Sequence, residues 1–167
     1  GTSFWIAEHL GYREAFVTAT AIALGTAIGR VVPTAISPYL RHPVPMAMAL
    51  ASLAELAPSR VDVAAGIGNP MFLRESGLEP EKPLEAMRDY VEALRALATG
   101  DPVQKEGRTF RLAGARVSFK PDTSIPIHIA AMGPQMLRLT GRIADGVVLS
   151  AGLSAESVRR ALALVEE

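Results

Sequence analysis

The sequence predicts an α/β fold in which parallel strands alternate with helices, and two patterns support this class. Short, almost wholly apolar runs recur along the chain, as is typical of strands that are buried on both faces. Longer segments with helical spacing of apolar residues lie between these runs. Such alternation favours parallel strands joined by right-handed crossovers, and we count five strands and five helices.

The predicted strands are apolar runs bounded by polar residues, glycines or prolines. Pro33 falls inside the second run, where it would interrupt pairing unless it stands near an end or a bulge. The five strands are residues 3–9, 30–37, 60–68, 125–131 and 146–151.

The predicted helices rest on apolar spacing and on terminal signals. The clearest spacing lies between Leu84 and Leu97, where apolar residues recur at steps of three or four before Gly100. Pro43 and Pro134 suit first helical turns, and Ser154 suits an N-cap. The helices are residues 13–24, 43–56, 83–100, a segment that starts at Pro134, and 155–167.

Residues 101–122 differ from the rest of the chain. Apolar and polar residues alternate there, interrupted by Gly107 and Gly114, which predicts an irregular and peripheral hairpin insertion. The 167 residues suffice for one core and are too few for two domains of ordinary size, so we expect one domain over 1–167.

The composition excludes several classes of function. Seventeen basic and 17 acidic residues cancel, so no excess charge attracts nucleic acid or an anionic membrane. The chain has no Cys, which excludes disulfides and thiolate sites, and its three His lack the spacing of a zinc site, so we expect no metal. With neither a signal-like start nor an apolar run of about 18 residues, we expect a cytoplasmic protein without membrane insertion.

Polar and small residues stand where the predicted strands end, which is where parallel α/β sheets bind ligands. Along the first strand, Glu8 and His9 are expected to face opposite ways, with one of them in the ligand site. Histidine as a residue type exchanges protons readily near neutral pH, although a strand-end His can also simply bond to a loop. The strand-end residues are Glu8, His9, 35–37, 66–69, 131–133 and 150–152.

Two ionisable residues lie inside predicted strands. Asp62, if buried, would require a partner such as Arg60 or a backbone donor. His128 lies between two isoleucines and is expected to be an interior His rather than a ligand.

Four segments together resemble a known family in order and spacing. They are residues 4–9 (FWIAEH), 34–43 (TAISPYLRHP), 52–68 (SLAELAPSRVDVAAGIG) and 126–152 (PIHIAAMGPQMLRLTGRIADGVVLSAG). The chain resembles the luciferase-like flavin and deazaflavin oxidoreductases over almost its whole length. Within them, the S-P-Y-x-R-H-P and A-A-x-G-P-x-x-L runs look most like the branch that uses coenzyme F420, including methylene-tetrahydromethanopterin reductases.

The resemblance implies a TIM (β/α)8 barrel that is incomplete here, since the chain matches the family from its second strand to its sixth helix. It also implies an oxidoreductase that transfers a hydride between coenzyme F420 and a small organic substrate. FMN is the alternative cofactor, and a luciferase-like monooxygenase or a non-catalytic flavin-binding or structural remnant is the alternative function. Family members commonly dimerise, so a homodimer is expected.

The resemblance further implies the roles of particular residues. It places His9, with Glu8, as the acid/base group, and a non-prolyl cis peptide around Thr34 to Ile36. It gives Arg41 and His42 the structural role of anchoring a loop. The cofactor-binding residues it implies are Ala35, Ile36 and Ser37 behind the ring, Gly66, Gly68 and Asn69 beside it, and Ala131, Met132, Gly133 and Gln135 at the phosphate.

One departure from the pattern of the family narrows the class of substrate. The sugar-phosphate dehydrogenases of the family carry a catalytic acid just past the glycines of the third predicted strand. This chain has Asn69 and Pro70 there, which disfavours that activity.

Overall fold

The computed structural model describes residues 3–119 and 124–167. Five strands run parallel and two form an antiparallel hairpin, so the expected α/β class is confirmed. The strands are β1 (Ser3–Ala7), β2 (Arg30–Thr34), β3 (Val63–Ala65), β4 (Val103–Glu106), β5 (Arg111–Ala115), β6 (Ile127–Ala130) and β7 (Gly146–Val148).

The described residues form six helices, one more than the sequence predicted. The additional helix is α3, which starts where the Asn69 side chain accepts a hydrogen bond from the Met71 backbone N–H at 2.9 Å. Its six residues are too few to show a helical period, so only its cap and Pro70 signalled it. The helices are α1 (Ala15–Gly25), α2 (Pro43–Leu56), α3 (Pro70–Glu75), α4 (Pro83–Leu97), α5 (Pro134–Ile143) and α6 (Ala155–Glu166).

The parallel strands lie in the order β1, β2, β3, β6, β7. Continuous ladders join β1 to β2, β3 to β6, and β6 to β7. Between β2 and β3 the pairing consists of two isolated bridges, Val31 with Val61 and Ile36 with Ala65. The sheet is therefore most weakly joined between its second and third strands.

The hairpin of β4 and β5 occupies the region where the sequence predicted one. Its strands pair antiparallel, with a shift of register between Val103 and Gln104. Residues 120–122 of the predicted insertion lie outside the described residues.

The strands have two different faces because their side chains alternate. Val31, Val63 and Ile129 belong to the main apolar core under the helices, whereas Val32 and Ala64 are buried on the opposite face. On that opposite face the ring centroids of Trp5 and His128 lie 6.0 Å apart. These residues are on β1 and β6, which in a flat sheet would be about 14 Å apart at about 4.8 Å per strand. The sheet is therefore strongly curved, with this face on the concave side.

Asp62 lies on the concave face and is 7% exposed. Its partner is Arg30, whose Nε donates to Oδ2 at 2.7 Å while Nη2 pairs with Oδ1, and this raises the pKa of the Arg30 guanidinium. The sequence suggested Arg60 or a backbone donor as that partner, and Arg60 was wrong, because it donates instead to the carbonyl of Ala23 at 2.9 Å. The parallel bridge of Val31 to Val61 places residue 32 beside residue 62, so the Arg30 side chain lies diagonally across from Asp62 on the same face of the sheet and reaches it.

His128 is half-buried, as an interior His should be. Its Nε2 lies 3.5 Å from Oδ2 of Asp62.

No helix in residues 3–119 and 124–167 has the length and apolar character needed to cross a membrane. The described part of the chain also contains no group of three or more His, Asp or Glu side chains placed to hold a metal ion.

Candidate functional site

A cleft of about 250 Å³ opens at the carboxyl ends of β1, β2, β3 and β6. It contains strand-end residues that the sequence singled out and several that it did not. The predicted strand-end residues in its wall are Glu8, His9, Ala35, Ser37, Gly66, Ile67, Gly68 and Asn69, and the others are Leu10, Leu40, Phe72, Leu73 and Ala130.

The floor of the cleft is made by backbone and methyl groups. The expected non-prolyl cis peptide is present between Thr34 and Ala35. A Cβ at Gly66 would lie 2.7 Å from Cβ of Ala35 and 3.4 Å from Cβ of Ala130. Gly66 is therefore the residue that lets these three strand ends meet closely.

Ser37 and Gly68 join the ends of β2 and β3. The Ser37 hydroxyl is buried and donates to the Ile67 carbonyl at 3.2 Å. Gly68 has φ +79°, and a Cβ there would lie 3.3 Å from Oγ of Ser37 and 3.2 Å from Leu73. A side chain at position 68 would thus meet both strain and crowding.

Glu8 and His9 both line the cleft, although strand alternation predicted that only one would. The reason is that β1 ends at Ala7 and the chain turns, with the Tyr12 N–H donating to the His9 carbonyl at 3.0 Å. The His9 ring is exposed and lies between the edges of Tyr12 and Phe72, at centroid distances of 6.2 and 6.4 Å. It is thus accessible to solvent and to a molecule in the cleft.

Glu8 is held far more firmly than His9. Its side chain is 13% exposed, and its Oε2 accepts from the Ala15 N–H at 3.3 Å and from Nη2 of Arg41 at 3.4 Å. Arg41 was expected to anchor its loop. The structure shows that it also binds a residue of the cleft, a contact that sequence spacing could not indicate because 33 residues separate the pair.

His42, the neighbour of Arg41, has the expected structural role. Its Nδ1 accepts from the Val44 N–H at 3.3 Å and so caps α2. Asn69 likewise caps α3, so its side-chain oxygen is already engaged in the fold.

Two predicted residues next to the cleft do not line it. The Ile36 side chain is fully buried in the core, and its N–H and C=O pair with Ala64 and Gly66 at 2.9 and 3.0 Å. Ala131 is 4% exposed, and its N–H donates to the Val148 carbonyl at 3.1 Å. Both residues support the sheet edge from behind.

Met132, Gly133 and Gln135 form a separate surface on the rim. All three are exposed and lie outside the cleft wall. Gly133 is the N-cap of α5 but offers no side-chain hydrogen bond, and Pro134 follows as the first helical residue. Among the described residues, the first N–H groups of α5 therefore receive no side-chain hydrogen bond from their N-cap.

The residues that the sequence missed come mainly from α3 and from the connecting loops. Phe72 and Leu73 belong to α3, which was not predicted, and Leu10 and Leu40 follow the ends of predicted strands. The signal that could have found Phe72 and Leu73 was the Asn69–Pro70 pair read as a helix start.

Comparison with known proteins agrees with the resemblance seen in the motifs. The profile of the family described as luciferase-like monooxygenase matches residues 2–167. The chain belongs to the luciferase-like monooxygenase family. The expected resemblance is thus confirmed.

Individual family members give a finer comparison. The chain is 36% identical over 147 residues to a 5,10-methylenetetrahydromethanopterin reductase of Archaeoglobus fulgidus, covering 88% of this chain and 44% of that protein. It is 33% identical over 157 residues to an F420-dependent glucose-6-phosphate dehydrogenase of Nocardia farcinica, covering 89% and 47%. The chain therefore spans less than half the length of these two relatives.

A solved structure supports the same placement. The coenzyme F420-dependent tetrahydromethanopterin reductase of Methanopyrus kandleri superposes with a TM-score of 0.91 at 27% identity, covering 99% of this chain and 52% of that one. The fold of this chain thus matches about half of that enzyme.

Proposed function

We propose that the protein is an oxidoreductase that transfers a hydride between coenzyme F420 and a small organic substrate, with FMN as the alternative cofactor. The observation that carries the proposal is the floor of the cleft. Gly66, Ala35 and Ala130 meet there, and none of them has a side chain larger than a methyl group. Such a surface of small side chains suits the face of a planar ring. The relatives named above as F420-dependent support the choice of cofactor.

We propose that the chain is one partial (β/α)8 barrel domain over 1–167, with 101–122 as a peripheral hairpin insertion. Three features support this: the parallel order of the strands, the curvature that brings Trp5 to 6.0 Å from His128, and the position of the cleft at the strand ends. The chain also spans about half of the relatives it matches.

The residues around the cleft divide the work. A bound deazaflavin or flavin supplies the hydride chemistry, and the chain supplies binding, orientation and a proton. His9, the exposed imidazole, gives or takes that proton, and Glu8 is a fixed carboxylate beside it. The ring seat consists of Ala35, Ser37, Gly66, Gly68 and Asn69, backed by Ile36 and Ala131.

The phosphate of the cofactor would bind on the rim at Met132, Gly133 and Gln135. The first turn of α5 presents N–H groups there that the N-cap residue Gly133 has no side chain to satisfy, and the positive end of the helix dipole favours an anion. This fits a phosphorylated cofactor, since the seat and the α5 terminus flank the same strand end at Ala130.

The substrate is proposed to be other than a sugar phosphate, although relatives named as glucose-6-phosphate dehydrogenases are similar over the same residues. Position 69 holds an Asn whose side chain caps α3, and Pro70 follows. Neither offers the carboxylate that the resemblance leads us to expect in those enzymes.

The proposal is tested by binding and by one substitution. F420 and FMN are titrated separately, and turnover is followed by F420 absorbance with 5,10-methylenetetrahydromethanopterin as the first substrate. His9→Asn should lower turnover by about 100-fold and change the F420 Kd by no more than a few-fold, because a general acid/base acts mainly in the transition state. His42→Asn is the matched control, since Asn also caps helices well. Binding of neither cofactor would overturn the proposal, and full turnover by folded His9→Asn would remove His9 from it.

We also propose that a second copy of the chain covers the outer face of α1. Val17, Leu24 and the following Ile28 are 73%, 68% and 76% exposed, and no charged residue occurs from 15 to 29. An uncharged apolar face is self-complementary, as a two-fold interface requires.

A further inference from the structure

The carboxylate of Glu8 uses only one of its two oxygens within the fold. Oε2 accepts from both the Ala15 N–H and Nη2 of Arg41, whereas Oε1 has no hydrogen-bond partner among the described residues. Glu14, close by, is different: its Oε2 accepts from the Val17 N–H at 2.6 Å and its Oε1 pairs with Arg41. Glu14 is thus fully committed to the fold, and Glu8 keeps one oxygen available in a residue that lines the cleft.

Arg41 restrains Glu8 from a fixed position. Its Nη2 binds both Glu8 and Glu14, and its guanidinium carbon lies 4.7 Å from the centroid of the Phe16 ring. The Arg41 side chain is only 23% exposed. A planar cation held by stacking and by a second carboxylate has little freedom to follow Glu8, so it determines where that carboxylate lies.

Anchoring the loop would not require the Glu8 contact. The pair with Glu14 and the stacking on Phe16 already attach Arg41 to α1. Bringing Glu8 to the same guanidinium places a second carboxylate beside Glu14, which costs repulsion unless the cation compensates both. The arrangement is explained if the Glu8 side chain must be held in one orientation at the cleft.

We propose that Arg41 is a positioning residue for Glu8, and that Oε1 of Glu8 accepts a hydrogen bond from an N–H or O–H group of the molecule bound in the cleft. The proposal rests on the function proposed above. It gives Glu8 and His9 separate tasks: Glu8 orients the bound molecule by accepting a hydrogen bond, and His9 exchanges a proton. The N–H or O–H donor belongs either to the cofactor or to the substrate, and the hydrogen bond to Oε1 is of the same kind in both cases.

A double-mutant cycle tests the proposal. The F420 Kd, measured by fluorescence, and kcat and KM are compared for the wild type, Glu8→Gln, Arg41→Met and the double variant. Each single change should weaken the binding of either the cofactor or the substrate by about 10-fold, since a hydrogen bond to a charged group is worth about that factor. The double variant should be no weaker than the weaker single variant, because Arg41 acts through Glu8. A change in the F420 Kd assigns the donor to the cofactor, and a change in KM alone assigns it to the substrate.

Two further variants exclude general damage. Arg88→Met, on the exposed side of α4, should leave both constants within two-fold. If Arg41→Met does not fold, the cycle is run with Arg41→Lys, which keeps the charge but loses the planar fork and should show a smaller loss of the same kind.

The results separate this proposal from the proposed function. If the wild type binds F420 but the losses from Glu8→Gln and Arg41→Met multiply in the double variant, Arg41 has a structural role alone and the inference is overturned. If Glu8→Gln changes neither constant, Oε1 accepts no hydrogen bond and the inference is equally overturned. If the wild type binds neither F420 nor FMN, both the inference and the proposed function fall.

Discussion

Adding one methyl group at Gly66 should disturb both the stability of the fold and the cleft. The new Cβ would lie 2.7 Å from Cβ of Ala35, about 1 Å closer than the usual carbon–carbon contact of about 3.5–4.0 Å. The obstacle is a methyl group attached directly to the backbone, so no side-chain rotation can relieve the contact, and β2 and β3 must separate. Overpacking of this kind costs about 1–3 kcal/mol, which a protein of ordinary stability survives.

The magnitude can be checked by thermal unfolding and by F420 binding. For a chain of this size, about 1–3 kcal/mol corresponds to a fall in Tm of about 2–12 °C. Because the displaced atoms form the floor of the cleft, the F420 Kd of Gly66→Ala should rise by about 10-fold or more. Adding Ala35→Gly removes the opposing methyl group and should recover most of both losses, less about 0.5–1 kcal/mol for the added backbone freedom.

The control for this prediction is Gly25→Ala at the end of α1, where a Cβ would meet no atom of the described part of the chain within 4 Å. Its Tm and F420 Kd should stay close to those of the wild type. If Gly66→Ala matches the wild type in both measurements, the close approach of the strand ends has no role in either the fold or the cleft.

Two other predictions follow from buried and exposed groups. Burial raises the pKa of Tyr90, whose hydroxyl has no hydrogen-bond partner within residues 3–119 and 124–167, whereas an unfolded Tyr has a pKa of about 10. Above about pH 10 the unfolded chain loses a proton that the folded chain keeps, so the free energy of unfolding should fall as the pH rises. Tyr90→Phe should reduce that fall. At pH 8 it should raise the free energy of unfolding, measured in urea titrations, by about 0.5–2 kcal/mol. A lower free energy of unfolding at pH 8 would show instead that the Tyr90 hydroxyl is paired. Leu24→Asp on the outer face of α1 should convert a dimer to a monomer, as measured by sedimentation. The control, Glu55→Asp on α2, should leave the dimer intact. A wild-type protein that is monomeric at micromolar concentration would refute the proposed second copy.

The fold class was predictable because burial on both faces leaves a simple signature. Apolar runs such as the one from Val61 to Ala65 can be recognised without knowing their neighbours, and so can the periodic helix that ends near Leu97. Strand lengths were less predictable: residues 60–68 were expected to be a strand, and β3 is Val63–Ala65. Hydrogen-bond pairing sets strand ends, and it depends on the neighbouring strand.

The cleft was predictable wherever the chain delivers residues to the ends of parallel strands, as with His9 and Gly66. What could not be predicted were partnerships between distant residues. Arg30 with Asp62 and Arg41 with Glu8 join positions 32 and 33 residues apart, and only the packing of strand and helix brings them together. The choice of Arg60 for Asp62 was wrong for this reason.

The weak connection between β2 and β3 means that a molecule bound in the cleft would also connect the two parts of the sheet. Among the described residues, four backbone hydrogen bonds cross between these strands and their extensions, two at Val31 and two at Ile36. The cleft straddles this line, with Ala35 on one side and Gly66 on the other. A molecule that touches both sides adds RT ln(1 + [L]/Kd) to the stability of the joined sheet, about 2.7 kcal/mol at 100 times its Kd. Cohesion of the sheet and occupancy of the cleft are thereby thermodynamically linked, so whatever fills the cleft also holds the two parts of the sheet together.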